Sequence, residues 1–220
     1  MKKKRNIIFL IIGFISISFG LYAYFGYSEV SLKFPDKIFY DFENEEIGSF
    51  PSGWRGTRWD GTEIVKWRNE DKGFGKVAEI MNRDGAGVEF AIRFTDSKKG
   101  VIEFDIYGDL GKEFTVQICQ EDAKYNPIDD IIIRLGMGIK IIGAGDYGRL
   151  GNFSKGKWLH FKIEYDVDSD WHLWIDDVSF NKNNGFCYFK QPNYMSQLYF
   201  YTFYSNNRFY VDNVKITVKE

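Results

Sequence analysis

From about Lys37 onward, apolar and polar residues alternate in twos. Val88, Phe90, Ile92 and Phe94 alternate with Glu89, Ala91 and Arg93. Ile102, Phe104 and Ile106 alternate with Glu103, Asp105 and Tyr107. Leu159, Phe161, Ile163 and Tyr165 alternate with His160, Lys162, Glu164 and Asp166. Successive side chains of an extended strand point to opposite faces, so this period puts one face of each strand on a core. Turn-forming pairs such as Asp84-Gly85, Asn184-Gly185 and Asn206-Asn207 break the runs. Pro35, Pro51, Pro127 and Pro192 all fall between runs, where a missing amide hydrogen does no harm to a sheet. The pattern predicts about a dozen short antiparallel strands at the ~8–12-residue spacing of a sandwich, and no long amphipathic helix.

The first 36 residues show another pattern. Lys2, Lys3, Lys4 and Arg5 form a basic cluster, and residues 6–27 carry no charged side chain. A helix of ~20 apolar residues crosses a ~30 Å hydrocarbon core. Tyr22, Tyr24 and Tyr27 sit at the far end, where rings favour the lipid–water boundary. The expectation is a cytoplasmic tail over 1–5, a transmembrane anchor over 6–27, a short linker over 28–36 and an extracytoplasmic sandwich over 37–220. A cleaved signal peptide is the rival reading. Its apolar region is usually ~7–15 residues and ends in a small-x-small site. Here the run is longer, and bulky Tyr22, Tyr24 and Phe25 surround Ala23. Either way the remaining chain faces outward.

Composition narrows the function classes. Aromatics make up 19% of the chain, which suits half-buried strands. The net charge is −2, and setting aside the basic tail leaves the domain more acidic still. Nucleic-acid binding needs a basic footprint, so it is not expected. Gly143-Ala144-Gly145-Asp146-Tyr147-Gly148 is glycine-rich, but no Lys-Ser/Thr or helix pattern comes after it, so no nucleotide site is expected. Two cysteines, Cys119 and Cys187, are too few for a disulfide scaffold, and their spacing leaves a bridge between them open. Asn152-Phe153-Ser154 is a glycosylation sequon.

Three segments carry a family likeness. FYDFENEEIGSFPSGW (39–54) opens the domain, KWLHFKIEYDVDSDWHLWIDD (157–177) lies within it, and FYVDNVKITV (209–218) closes it. In this order they resemble the concanavalin A-like lectin and glucanase jelly rolls, notably laminin-G-like and carbohydrate-binding members. The resemblance implies a two-sheet antiparallel jelly-roll sandwich with its first and last strands side by side. It also implies a structural calcium held by Asp41, Glu43 and Asp212, since calcium takes oxygen ligands from carboxylates and carbonyls.

Glu103 and Asp105 resemble part of the acidic strand of the related glucanases. The further acid of that motif is missing: Tyr107 and Gly108 occupy its two alternative positions. Retaining hydrolysis needs two carboxyl groups ~5–5.5 Å apart, so catalysis is not expected. Aromatics offer another chemistry. Tyr199, Tyr201 and Phe203 share the face opposite Leu198 and Phe200, and His172 and Trp174 point away from Leu173 and Ile175. Rings stack on sugars and acids accept hydroxyl hydrogen bonds. The candidate ligand residues are therefore Glu103, Asp105, Tyr107, His172, Trp174, Tyr199 and Tyr201. The expected function is a membrane-anchored binding module for a glycan or a cell-surface partner. The alternatives are a divergent glucanase-like hydrolase and a structural envelope protein that assembles laterally.

Overall fold

The computed structural model describes residues 34–56, 61–67, 75–108, 112–120, 131–136, 138–142, 149–151, 156–181, 185–188 and 191–219. The expected anchor over 6–27, the glycine-rich 143–148 and the sequon at 152–154 lie outside the described residues. A compact unit begins at Phe34. Its described residues contain fifteen strands and no α-helix. No helix among them is long and apolar enough to cross a membrane.

The strands form two antiparallel sheets. The first runs β13 (Val178–Ser179), β12 (Trp171–Ile175), β11 (Trp158–Asp166), β6 (Lys99–Gly108), β15 (Asn207–Lys219), β4 (Lys76–Asn82) and β3 (Thr62–Lys66). β1 (Lys37–Tyr40) also pairs with β15, so the first and last strands lie side by side as expected. The second sheet runs β10 (Arg149–Gly151), β9 (Ile139–Ile142), β8 (Ile131–Leu135), β7 (Phe114–Cys119), β14 (Met195–Thr202), β5 (Val88–Ser97) and β2 (Arg55–Gly56).

Period two sets which side chains fill the space between the sheets. Phe90 and Phe94 of β5, Phe104 of β6, Phe161 of β11, Phe200 of β14 and Phe209 of β15 are all fully buried in one cluster. Phe104 stacks on Phe161 at 5.2 Å and meets Phe200 of the other sheet edge-on at 5.2 Å. Each fully buried ring contributes roughly 1.5–3 kcal/mol relative to exposure. Gly53, at φ +75°, makes the turn that delivers Trp54 inward, where it stacks on Phe90 at 4.0 Å. The hairpin between β11 and β12 is closed by Asp166, whose Oδ1 accepts from the Asp168 amide at 3.1 Å. Asp side chains stabilise such turns by mimicking backbone acceptors. The Lys99 ammonium, 2.8 Å from Asp166, holds that carboxyl below its ordinary range.

β15 is not regular along its whole length. It carries a bulge between Asp212 and Lys215, with Asn213 at φ +49°. An extra residue shifts the alternation, so Phe209 and Val211 face the core before the bulge and Val214 and Ile216 after it.

Candidate functional site

The expected ligand residues fall on two outer faces of the sandwich, one per sheet. Glu103, Asp105 and Tyr107 lie on β6 and His172 and Trp174 on β12, all in the first sheet. Tyr199 and Tyr201 lie on β14, in the second. They therefore do not form one site.

On the first sheet the candidate side chains are engaged with one another. Glu103 pairs with Lys215 at 2.9 Å. Asp105 holds His160 Nδ1 at 2.8 Å through one oxygen and accepts from Asn213 Nδ2 at 2.8 Å through the other. His172 lies 3.3 Å from Asp170 and contacts Asn181, and the Lys162 ammonium sits over the Trp174 ring. Tyr107 joins Trp67, Trp158 and Tyr210 in a small aromatic cluster, with Trp67 at 4.9 Å from its ring. His160 and His172 are not cross-strand partners. The β11–β12 register sets Glu164 opposite His172 and Lys162 opposite Trp174.

The second sheet presents a different surface. On one rung Tyr199 of β14 lies between Ala91 of β5 and Gln117 of β7, with Arg55 of β2 beyond Ala91. On the next rung Tyr201 lies between Glu89 and Thr115. Glu89, Gln117, Tyr199, Tyr201 and Phe203 line a depression of about 90 Å³. Phe203 is 62% exposed and meets Tyr201 edge-on at 5.3 Å. Gly87, at φ +89°, makes room for Phe203: a Cβ there would stand 2.9 Å from its ring. Beside the depression, Arg55 Nη2 donates to Gln197 Oε1 and, at 3.0 Å, to Tyr199 Oη. Tyr199 Oη in turn donates to Gln197 Oε1. The Gln197 Nε2 is buried and has no hydrogen-bond partner among the described residues. This face thus gathers ring surfaces, a carboxylate, a guanidinium and two buried amides within two rungs.

The sequence brings forward Tyr199 and Tyr201 as candidates; it does not bring forward Arg55, Glu89, Gln117 and Gln197, which the strand pairing places around them. The period-two pattern does mark Glu89 as outward. Nothing in the sequence says that β2, β5, β7 and β14 are neighbours.

The expected calcium residues lie near the corner where β1 leaves β15, close enough for Asp41 and Glu43 to act on Asp212 through their charge. Asp212 is 2% exposed, and its Oδ1 has no hydrogen-bond partner among the described residues. Burial pushes its carboxyl up to about 8, and the charges of Asp105, Glu43 and Asp41 add to the shift. An orphaned buried oxygen beside other acids suits a hard cation. Glu43, however, accepts the amides of Gly75 and Lys76 at 3.0 and 2.8 Å through Oε1. The Lys76 ammonium donates to the carbonyls of Glu43 and Glu45, both at 2.7 Å. Among the described residues no three His, Cys, Asp or Glu side chains gather closely enough to hold a metal by themselves. By themselves the carboxylates of this corner do not make a calcium cage; what the corner holds is a buried Asp212 oxygen with no partner among the described residues. Cys119 is a buried thiol on β7 and Cys187 an exposed one.

No family model matches the sequence, and no curated protein matches it. Solved structures match its fold. A protein described as a sialidase superposes with TM-score 0.67 and 10% identity, over 86% of this chain and 19% of that one. This chain therefore spans about a fifth of that protein's length. The alginate lyase Aly36B superposes with TM-score 0.59 and 13% identity, over 85% of this chain and 100% of that one. The cellulose induced protein Cip1 gives 0.60 and 13%, over 83% and 97%. Identities this low speak for the fold alone. The fold they share with this chain is a sandwich of two antiparallel sheets, consistent with the concanavalin A-like class that the order of the three motifs resembles.

Proposed function

We propose that this chain is a glycan-binding module, held outside the cell by its N-terminal apolar segment, that binds without cleaving. The depression on the second sheet carries this reading. Tyr201 and Phe203 offer ring faces for a sugar to stack on, and polar Glu89 and Gln117 line the same depression. A concave site with rings and a few placed polar groups is the usual form of a small-ligand site. Solved relatives in fold that include a sialidase, an alginate lyase and a cellulose induced protein support a sugar as the ligand. Binding without cleavage is supported by the first sheet. The two acids that the glucanase resemblance picks out are engaged by Lys215 and by His160 and Asn213.

A structural calcium at Asp212 belongs to the same proposal. It would neutralise a carboxylate buried among acids and tie β15 to the segment after β1.

A glycan array probed with the purified protein tests the reading. Expected is binding to at least one oligosaccharide class, lost by about tenfold, or ~1.4 kcal/mol, in Tyr201→Ala/Phe203→Ala. New reducing ends or unsaturated sugar products in the same incubations would contradict the non-catalytic part.

A further inference from the structure

We infer that the site on the second sheet is selective for acidic glycans, with Arg55 receiving the carboxylate of a uronic acid residue. This rests on the glycan reading above and specifies its ligand. The first observation is an asymmetry among the arginines. Of the arginines with described side chains, Arg83 pairs with Glu63, Arg93 with Asp96, Arg134 with Glu113 and Arg208 with Glu79. Arg55 pairs with no carboxylate among the described residues. It is exposed, yet it is not loose. Its Nη2 is pinned by Gln197 and Tyr199, and its guanidinium lies 5.7 Å from the centre of the Tyr199 ring. The remaining donors, Nη1 and Nε, are left for a ligand. A guanidinium held in place loses little freedom when it binds a planar two-oxygen anion, and its fork matches a carboxylate.

The second observation is a shortage of acceptors. The Gln197 oxygen serves both Arg55 and Tyr199, and among the described residues Nη1 and Nε of Arg55 have no acceptor. Gln197 itself is fully buried, so the donors of the exposed Arg55 are the ones an incoming acceptor meets. A carboxylate supplies acceptor sites and no donor. A neutral sugar supplies hydroxyls that also donate, so it answers this need less well.

The spacing also fits a sugar chain. Side chains two apart on a strand are ~6.8 Å apart, so the Arg55–Tyr199 rung and the Glu89–Tyr201 rung lie about one sugar apart. An acid group on the first rung leaves its hydroxyls and the adjoining ring toward Glu89, Tyr201 and Phe203.

Calorimetry with the full-length chain and three oligosaccharides of equal length tests the inference. One is a uronate oligomer, one a neutral glucan oligomer and one a sulfate-ester oligomer. Expected is at least about tenfold tighter binding of the uronate than of the neutral ligand, with Arg55→Gln bringing the two within about threefold. Arg83→Gln, whose side chain pairs with Glu63 on the other sheet, is expected to keep the full preference. The uronate preference of the unaltered chain is also expected to shrink with added salt, a readout that needs no variant. Equal affinity for uronate and neutral ligands overturns acid selectivity and leaves the glycan reading standing. A preference that survives in Arg55→Gln overturns the role of Arg55. Tightest binding of the sulfate ester overturns the carboxylate. Binding of none of the three counts against both this inference and the glycan reading on which it rests.

Discussion

Asp212 is the most conditional residue of the domain. Its carboxyl, pushed up to about 8 by burial, keeps its proton in the folded chain between about pH 4 and pH 8, while the unfolded chain has lost it. The unfolded state then binds fewer protons, so stability falls as pH rises through that window. The contribution is fully present below about pH 4 and gone above about pH 8. Without added metal, thermal unfolding is expected to occur at lower temperature at pH 8 than at pH 5.5, and Asp212→Asn is expected to flatten that slope. If calcium rests on Asp212, millimolar calcium raises the melting temperature of the unaltered protein at pH 8 and leaves Asp212→Asn unmoved. Gly87 is a second sensitive position. Its φ of +89° disfavours any side chain, and the Phe203 ring fills the space beside it. Gly87→Ala is expected to cost about 1 kcal/mol of stability and to weaken glycan binding several-fold, because the ring must move.

At the scale of the element, β14 and the turn after it contain two phenylalanines three positions apart with opposite duties. Phe200 is fully buried between the sheets, whereas Phe203 stands at the rim of the depression. Chemical denaturation should show Phe200→Ala losing ~3–5 kcal/mol. Phe203→Ala should stay within ~0.5 kcal/mol of the unaltered protein and lose ligand instead. This division was legible in the sequence, because alternation alone assigns Leu198 and Phe200 to one face and Tyr199, Tyr201 and Phe203 to the other. The partners of β14 were not legible. Gln117 and Glu89 reach it through pairings between distant strands, and Arg55 is stationed by only two residues of edge strand. The histidines show the same limit in reverse. His160 and His172 lie twelve residues apart around one hairpin, yet the register carries His160 to Asp105 and sets His172 opposite Glu164. A one-residue difference in register changes every cross-strand partner.

Taken whole, the domain that begins at Phe34 has two unlike outer faces. That of the first sheet is laced with internal ion pairs and ring contacts, and five of the seven expected ligand residues belong to it. That of the second sheet holds the depression and an arginine with unused donors. Composition could not separate the two, since acids and aromatics occur on both. Neighbourhood decides, and it comes from which strands pair. The N-terminal segment adds a prediction of its own. The full-length protein is expected to sediment with membranes after carbonate washing, with the domain open to protease added outside intact cells. Release by carbonate would contradict a spanning anchor. The most direct test of the central claim sets one face against the other. Titrating the best array ligand by calorimetry into Tyr201→Ala/Phe203→Ala and into Trp174→Ala should show affinity reduced at least about tenfold in the first and unchanged in the second. The reverse pattern, with the Trp174 variant failing and the other binding normally, would contradict the assignment of the site to the second sheet.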